Sequence, residues 1–239
     1  MENAKSLILE TKDLRAGYDK QNVLNDVSIQ VKRGEIVAVL GHNGTGKTTL
    51  LKTIFGTVPA SAGQVLFEGM DVTNASYQKK MRSGFFFTPA ERNVFAELSV
   101  EDNLELAGMS IKDKKLKIRK CQEMYELFPR LAERKKQRAG SMSGGEQRLL
   151  SLAIALATDP KLLLLDEPSL GLAPSTAQDL FAEVRRLAEI NDLSVVIVEQ
   201  SVAATLRIAD RVYYMRTGKI ILEESAEASR QREHYWDLF

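Results

Sequence analysis

The chain has 239 residues, enough to bury a sizeable core without disulfide or metal staples, and its 44% hydrophobic and 27% charged content excludes a disordered, collagen-like or coiled-coil chain. Lys+Arg 33 against Asp+Glu 32 leaves a formal charge of +1, so no global field draws the chain to nucleic acid or to an acidic ligand. The single cysteine, Cys121, excludes an internal disulfide and a multi-cysteine metal cage, and is expected to be a buried or idle thiol.

No apolar run approaches the roughly 18 residues of a membrane span, and the N-terminus lacks a secretory pattern, so a cytoplasmic location is expected. In chain order, Leu7 to Leu9, Val23 to Val31 and Glu35 to Leu40 read as strands. A Gly-rich turn follows, then a helical pattern from Gly46 to about Phe55, and further strands at Val65 to Phe67 and Phe85 to Phe87. Between Ser99 and Ala157 the apolar spacing is helical throughout, with Leu104, Met124, Leu127, Phe128, Leu131, Leu149, Leu152 and Ile154 three or four apart. Strand-like Leu162 to Leu165 leads to a helix opened by Pro174, and Val195 to Val198 to a second helix from about Ser201. A final strand pair follows at Val212 to Met215 and Ile220 to Leu222. Strands alternating with helices predict an α/β fold, a parallel, doubly wound sheet covered on both faces and interrupted by a helical insertion. The expected divisions are a core in two parts, 1–84 and 159–225, a helical subdomain, 85–158, and a C-terminal tail, 226–239. That tail, with His234, Tyr235 and Trp236, suits a packed terminal helix or a partner contact.

Gly41-His42-Asn43-Gly44-Thr45-Gly46-Lys47-Thr48 satisfies the phosphate-loop pattern G-x-x-x-x-G-K-[ST], between a buried strand and a helix. Its glycines let backbone N–H groups turn inward around phosphates, and the helix N-terminus adds partial positive charge. Lys47 reaches the terminal phosphates and the Thr48 hydroxyl ligates Mg2+, while His42 is expected to be an exposed bystander. Leu162-Leu163-Leu164-Leu165-Asp166-Glu167 ends an apolar strand with two carboxylates at the sheet edge where such folds bind ligands. Asp166 would hold the metal through water and Glu167 would act as general base on the attacking water. Ser143-Gly144-Gly145-Glu146-Gln147 precedes a Leu- and Ala-rich helix and fits two readings. One is a capping box of Ser143 with Glu146, like that of Ser99 with Asp102; the other is a second anion cradle made by Ser143 and the Gly144 and Gly145 amides.

Tyr18, the phosphate loop, Ser143 to Gln147 and the Leu162 to Glu167 strand stand in the order and spacing of ATP-binding cassette (ABC) ATPases, and the resemblance covers nearly the whole chain. Four further segments resemble the F-type ATPase of branched-chain amino acid importers: Phe128-Pro129-Arg130-Leu131, Met142 to Gln147, Asp166-Glu167-Pro168-Ser169-Leu170-Gly171-Leu172-Ala173-Pro174, and Val198-Glu199-Gln200-Ser201. Cassettes serving urea, amides and lipopolysaccharide share much of this vocabulary.

The resemblance implies a P-loop NTPase with a mainly parallel core sheet, an N-terminal antiparallel strand region and an inserted helical subdomain. It also implies binding and hydrolysis of ATP with Mg2+, by an ATPase motor subunit peripheral on the inner face of the cell membrane. Its implied partners are membrane permease subunits, a second cassette in a head-to-tail homo- or heterodimer and, indirectly, a solute-binding protein, but no nucleic acid. Ser143 to Gln147 would then press on the γ-phosphate of ATP held by the other cassette, and Thr49 would join the phosphate loop. Tyr18 either packs in its sheet or stacks on adenine. Gln200 stands where most cassettes place a histidine on the γ-phosphate; it donates a hydrogen bond but cannot titrate, and its plain alternative is a strand-end polar residue. Glu199 should point away from that site by the period of a strand. Two departures stand out: Ala90 occupies the position of a glutamine that touches magnesium, and Ala173 replaces a common aspartate.

Lys112 to Lys120 and Arg130 to Arg138 are basic runs, read as a solvated helix face or as neighbours of anionic lipid. Phe85 to Phe87 read as core strand, or as a groove for a permease helix. Two other function classes fit a cassette: a soluble ATPase that remodels a protein or nucleic-acid complex, and a binding-only regulator. The first usually brings coiled-coil insertions, tandem cassettes or basic surfaces, which this chain lacks; Lys47, Asp166 and Glu167 oppose the second.

Overall fold

The structure, a computed structural model, describes residues 6–232 apart from 20, 92, 93 and 112; His234, Tyr235, Trp236 and Lys112 lie outside the described residues. The first third contains β1 (Leu7–Tyr18), β2 (Gln21–Val27), β3 (Gln30–Lys32), β4 (Ile36–Leu40), α1 (Lys47–Phe55), β5 (Ala60–Phe67), β6 (Met70–Asp71), α2 (Tyr77–Ser83) and β7 (Phe85–Thr88). β1 is the hub of an antiparallel sheet, pairing with β2, β3 and β5, and β5 pairs with β6. It runs nine residues beyond the expected Leu7 to Leu9, because Leu14 and Ala16 return to the core between exposed Lys12, Asp13 and Arg15. The single strand expected over Val23 to Val31 is two. Asp26 takes a φ of 56°, and the Thr11 hydroxyl donates to the Val27 carbonyl and accepts from the Ile29 amide, replacing ladder bonds at the break.

The middle block is helical, as its spacing requires: α3 (Val100–Ala107), α4 (Lys114–Leu127), α5 (Pro129–Glu133) and α6 (Gly144–Ala157). Both Ser99 with Asp102 and Ser143 with Glu146 form full capping boxes, at α3 and α6. Part of the basic runs is paired across this surface, Lys120 with Glu123 and Asp159, Arg134 with Glu146, and Lys136 with Glu101. Cys121 is half-buried with its thiol pushed up by burial, as an idle thiol should be.

The last third runs β8 (Leu162–Asp166), α7 (Pro174–Asn191), β9 (Ser194–Glu199), α8 (Val202–Leu206), β10 (Arg211–Arg216), β11 (Lys219–Ser225) and α9 (Ala226–Arg230). These strands join β4 and β7 in a six-stranded sheet of order β11-β10-β4-β9-β8-β7, parallel except for the β10–β11 hairpin. Phe85–Thr88 therefore belongs to this sheet and not to the helical stretch 85–158, because it pairs residue for residue with Leu162–Leu165. The tail begins packed: Ala226 and Ser229 are buried, and the Ser229 and Tyr214 hydroxyls hydrogen-bond.

Alternation at period two sorts the sheet's side chains between two cores. Leu163, Leu165, Val195 and Ile197 pack with α6, α7 and the helical block, while Leu162, Leu164, Val196 and Val198 pack with α1 and the antiparallel sheet. The second face is thus covered by the antiparallel sheet together with α1, which corrects the expectation of a doubly wound sheet with helices on both faces. Strands buried on both faces leave little room for polar residues between their ends, which is why β4 and the interiors of β8 and β9 read as apolar runs, with Asp166, Ser194 and Glu199 at the ends.

One buried charge braces the helix behind the phosphate loop. Lys80 of α2 is 1% exposed and donates from Nζ to the Ile54 carbonyl, at the C-terminal end of α1, at 2.8 Å. Burial pulls its amine down to about 8, with Asp71 acting in the opposite direction. Between that value and the ordinary lysine range the unfolded chain holds a proton the folded chain has released, so stability rises with pH across this window. Lys80→Met should abolish that rise: the difference in unfolding free energy between wild type and variant, from urea titrations at pH 7 to 10, should shift by up to about 3 kcal/mol in favour of wild type. A difference independent of pH would show that the buried amine keeps its proton.

Candidate active site

Register gathers the site. In the parallel sheet Leu40 of β4 pairs with Glu199 of β9, and Asp166 of β8 with Val198, so three carboxyl strand ends lie level and adjacent. The segments leaving them begin at Gly41, Glu167 and Gln200.

The loop after β4 needs glycine for two different reasons. At Gly41 a Cβ would lie 2.5 Å from the Met215 carbonyl and 2.7 Å from the Thr45 hydroxyl, so no side chain fits. At Gly46, the residue before α1, φ is 106°, a left-handed conformation that L side chains rarely adopt. His42, Asn43 and Gly44 are exposed at the tip, and the Thr45 hydroxyl ties the loop by donating to the His42 carbonyl at 2.9 Å. α1 has no side-chain cap and no acidic residue in its first turn, in contrast to the capping boxes of α3 and α6. Its first-turn amides, with Thr49 buried behind them, meet no side-chain cap, an arrangement that can receive an anion.

Lys47 is 4% exposed. Its ammonium donates to the Gly41 and His42 carbonyls at 2.8 and 3.0 Å and lies 3.4 Å from Glu167 Oε1. The Thr48 hydroxyl donates to Asp166 Oδ1 at 2.9 Å. Burial raises the Asp166 carboxyl above its ordinary value, while the Thr48 hydroxyl pulls it down. Glu167, at a φ of 43°, is anchored by its amide to the Val198 carbonyl, and its Oε2 accepts from Gln200 Nε2 at 3.1 Å. Lys47, Thr48, Asp166, Glu167 and Gln200 therefore form one chain of contacts, drawn from three strand ends.

A hydroxyl beside a carboxylate is a hard-oxygen pair suited to magnesium. Among the described residues no group of three or more His, Cys, Asp or Glu could hold a metal alone.

Ser143 to Gln147 make their contacts elsewhere. Glu146 Oε2 accepts from the Ser143 amide and hydroxyl, both at 2.9 Å, and the Ser143 amide holds this carboxyl below its ordinary range. Gln147 Nε2 donates to the Ala139 and Met142 carbonyls. The side chains of Glu146 and Gln147 thus build the turn, while Ser143 and Gly144 are exposed. Tyr18 ends β1 at 47% exposure. Ala90 offers its backbone: its carbonyl accepts from Arg148 of α6 at 2.5 Å. Ala173 precedes α7 without a side-chain cap, and Pro174 opens that helix. Two participants carried no legible signal of this role. Arg148 is a lone cation in an apolar helical stretch, and Glu199 turns its carboxylate to the backbone amides of Ser169, Gln200 and Ser201.

Residues 24–170, more than half of the chain, match the ABC transporter family. The high-affinity branched-chain amino acid transport ATP-binding protein BraG of Pseudomonas aeruginosa is 43% identical over 88% of this chain and 90% of its own length. The probable branched-chain amino acid transport ATP-binding protein LivF of Archaeoglobus fulgidus is 35% identical over 97% of this chain and 98% of its own. Among solved structures, a nucleotide-free ATP-binding cassette from an ABC transporter superposes with a TM-score of 0.86 at 27% identity, covering 98% of both chains. This chain belongs to the ABC transporter family and is one of its ATP-hydrolysing cassettes.

Proposed function

We propose that this cassette drives a membrane importer of branched-chain or related amino acids, using the contact chain Lys47–Glu167–Gln200 to hydrolyse ATP. The observation that carries the hydrolytic reading is that chain itself: a carboxylate held between a buried ammonium and a side-chain amide at the mouth of a phosphate loop. The amino-acid reading is supported by two relatives named for branched-chain amino acid transport.

In this reading Tyr18 stacks on adenine, the Gly41 to Thr49 loop amides cradle the phosphates, and Lys47 turns from its two carbonyls to the terminal phosphates. Thr48 and, through water, Asp166 would hold magnesium, which would supply positive charge beside the bound phosphates. Glu167 takes the proton of the water as its oxygen bonds to the γ-phosphorus and the bridging oxygen departs with ADP. Gln200 orients Glu167 through its amide and faces the same γ-phosphate. Ser143 and Gly144, both exposed, with the Gly145 amide, all pre-shaped by the capping box, serve ATP held by a second cassette in a head-to-tail dimer, identical to this chain or a sister.

No helix among the described residues is long and apolar enough to cross a membrane, so transport needs permease subunits. Docking of a permease loop is supported by a cleft of about 690 Å³ lined by Ala90, Val94, Phe95, Leu170 and Leu172, in which Phe95 is 61% exposed. Phe85 to Phe87 are not that groove: they are strand β7. The test is to tag the chain, extract it gently from native membranes and identify its companions by mass spectrometry. Multi-span permeases with a second cassette are expected, and the solute-binding protein encoded with them then identifies the solute. Recovery with soluble partners alone would replace transport by complex remodelling.

A further inference from the structure

Glu199 ends β9 with its side chain only 3% exposed, where an unpaired carboxylate would be costly. It spends its acceptors on backbone. Oε1 accepts from the Ser169 amide at 2.9 Å, and Oε2 from the Gln200 and Ser201 amides at 3.0 and 3.4 Å. One carboxylate thus bridges the turn that follows Glu167 and the turn that carries Gln200. From the other side Arg148 grips the same turn, donating through Nη2 to the Leu170 carbonyl at 3.4 Å and to the Ala90 carbonyl at 2.5 Å. Arg148 Nη1 is buried with no hydrogen-bond partner among the described residues. Burial works against its charge, and the Glu199 charge supports it.

The turn needs holding. Glu167 has a φ of 43°, a left-handed conformation that is strained for a residue with a side chain and persists only when the surroundings over-determine it. The Glu167 amide on the Val198 carbonyl and the Leu170 amide on the Glu167 carbonyl are two of the constraints; the Ser169 amide on Glu199 is the third. We propose that Glu199 is a positioning residue for hydrolysis: by binding the Ser169, Gln200 and Ser201 amides on one carboxylate it sets Glu167 and Gln200 relative to each other, without touching the nucleotide. This rests on the reading of Glu167 as general base.

The test compares wild type, E199Q, E199D, E167Q and the E167Q/E199Q double variant as full-length chains in the complex they are isolated with. Single-turnover phosphate release at saturating magnesium-ATP, affinity for a fluorescent ATP analogue and unfolding temperature are measured for each. In E199Q an NH2 group replaces one acceptor and confronts an amide N–H. The hydrolysis rate should fall about 10²-fold, as a displacement of about 1 Å at the reacting groups would cause, with nucleotide affinity within about threefold. In the E167Q background the same change should cost less than about twofold, because it acts through Glu167. E199D keeps the charge facing Arg148 but is one methylene short; it should show the same split and stands in if E199Q does not fold. Turnover of either variant within about threefold of wild type overturns the proposal. So does an equal loss in both backgrounds, or a loss of affinity that matches the loss of rate. Normal turnover by E167Q alone would overturn the general-base reading and this proposal together, whereas an inactive E167Q beside an active E199Q overturns this proposal only.

Discussion

Glu167→Gln is expected to cut the ATPase rate about 10²–10⁴-fold, the usual contribution of a positioned general base, while ATP affinity stays equal to wild type or improves. Glutamine keeps the shape and can still accept from Gln200 Nε2, so the strand ends should remain aligned. What it loses is the capacity to take a proton. The direction of the affinity change follows from Lys47. In the free chain its ammonium lies 3.4 Å from Glu167 Oε1, and removing that negative charge frees it for phosphate. Slow hydrolysis with intact binding should leave the ATP-bound form to accumulate, and with it the dimer in which ATP is the shared ligand. Phosphate release, nucleotide titration and size-exclusion chromatography with ATP check the three parts. A rate within about threefold of wild type would remove Glu167 from the proton-transfer step and leave Gln200 and Lys47 as orienting groups for a substrate-assisted reaction.

What the sequence made legible follows from how local each constraint is. The phosphate loop is contiguous, and its flanking strand is buried on both faces, so residues 36–48 carry their local structure in one reading. The same holds for Leu162 to Glu167 and for the two capping boxes, where bonding partners are three residues apart. Long-range pairing was not legible. The outer half of β1 was not legible because it brings only Leu14 and Ala16 as buried apolar residues and is bent by bulges against both β2 and β5. β6 and α2 gave no signal because Met70 and Asp71 are exposed and α2 buries little besides Lys80. In the site, the Glu167–Gln200 contact spans 33 residues and exists only because β9 lies between β4 and β8 in parallel register. The alternation of β9 correctly separates Glu199 from Gln200, but it says nothing of the turn after Glu167 that Glu199 meets. Arg148 was invisible for the same reason: its two acceptors are backbone carbonyls, 58 and 22 residues away, and a carbonyl carries no residue type to read.

Lys47→Met should weaken ATP binding about 10²–10³-fold, about 3–4 kcal/mol at 1.4 kcal/mol per decade, with a fold stability close to wild type. The reason lies in how the ammonium is held. The His42 carbonyl also accepts from the Thr45 amide and hydroxyl, so it stays satisfied when Lys47 leaves. Only the Gly41 carbonyl and Glu167 lose a donor. That makes Lys47 a buried cation with inexpensive temporary partners, able to turn to phosphate without dismantling the loop, and it makes its removal far more damaging to the complex than to the free chain. Methionine preserves the length and the apolar stem in a site with 4% exposure, so packing changes little. Arginine is a poorer substitute than its charge suggests, because a planar guanidinium does not fit where a compact ammonium lies within 3.0 Å of two successive carbonyls. Nucleotide titration with urea unfolding of the same samples separates the two effects. A dissociation constant within about threefold of wild type would mean that the α1 amides and the loop backbone hold the phosphates unaided, and that Lys47 serves the strand end at Glu167 instead.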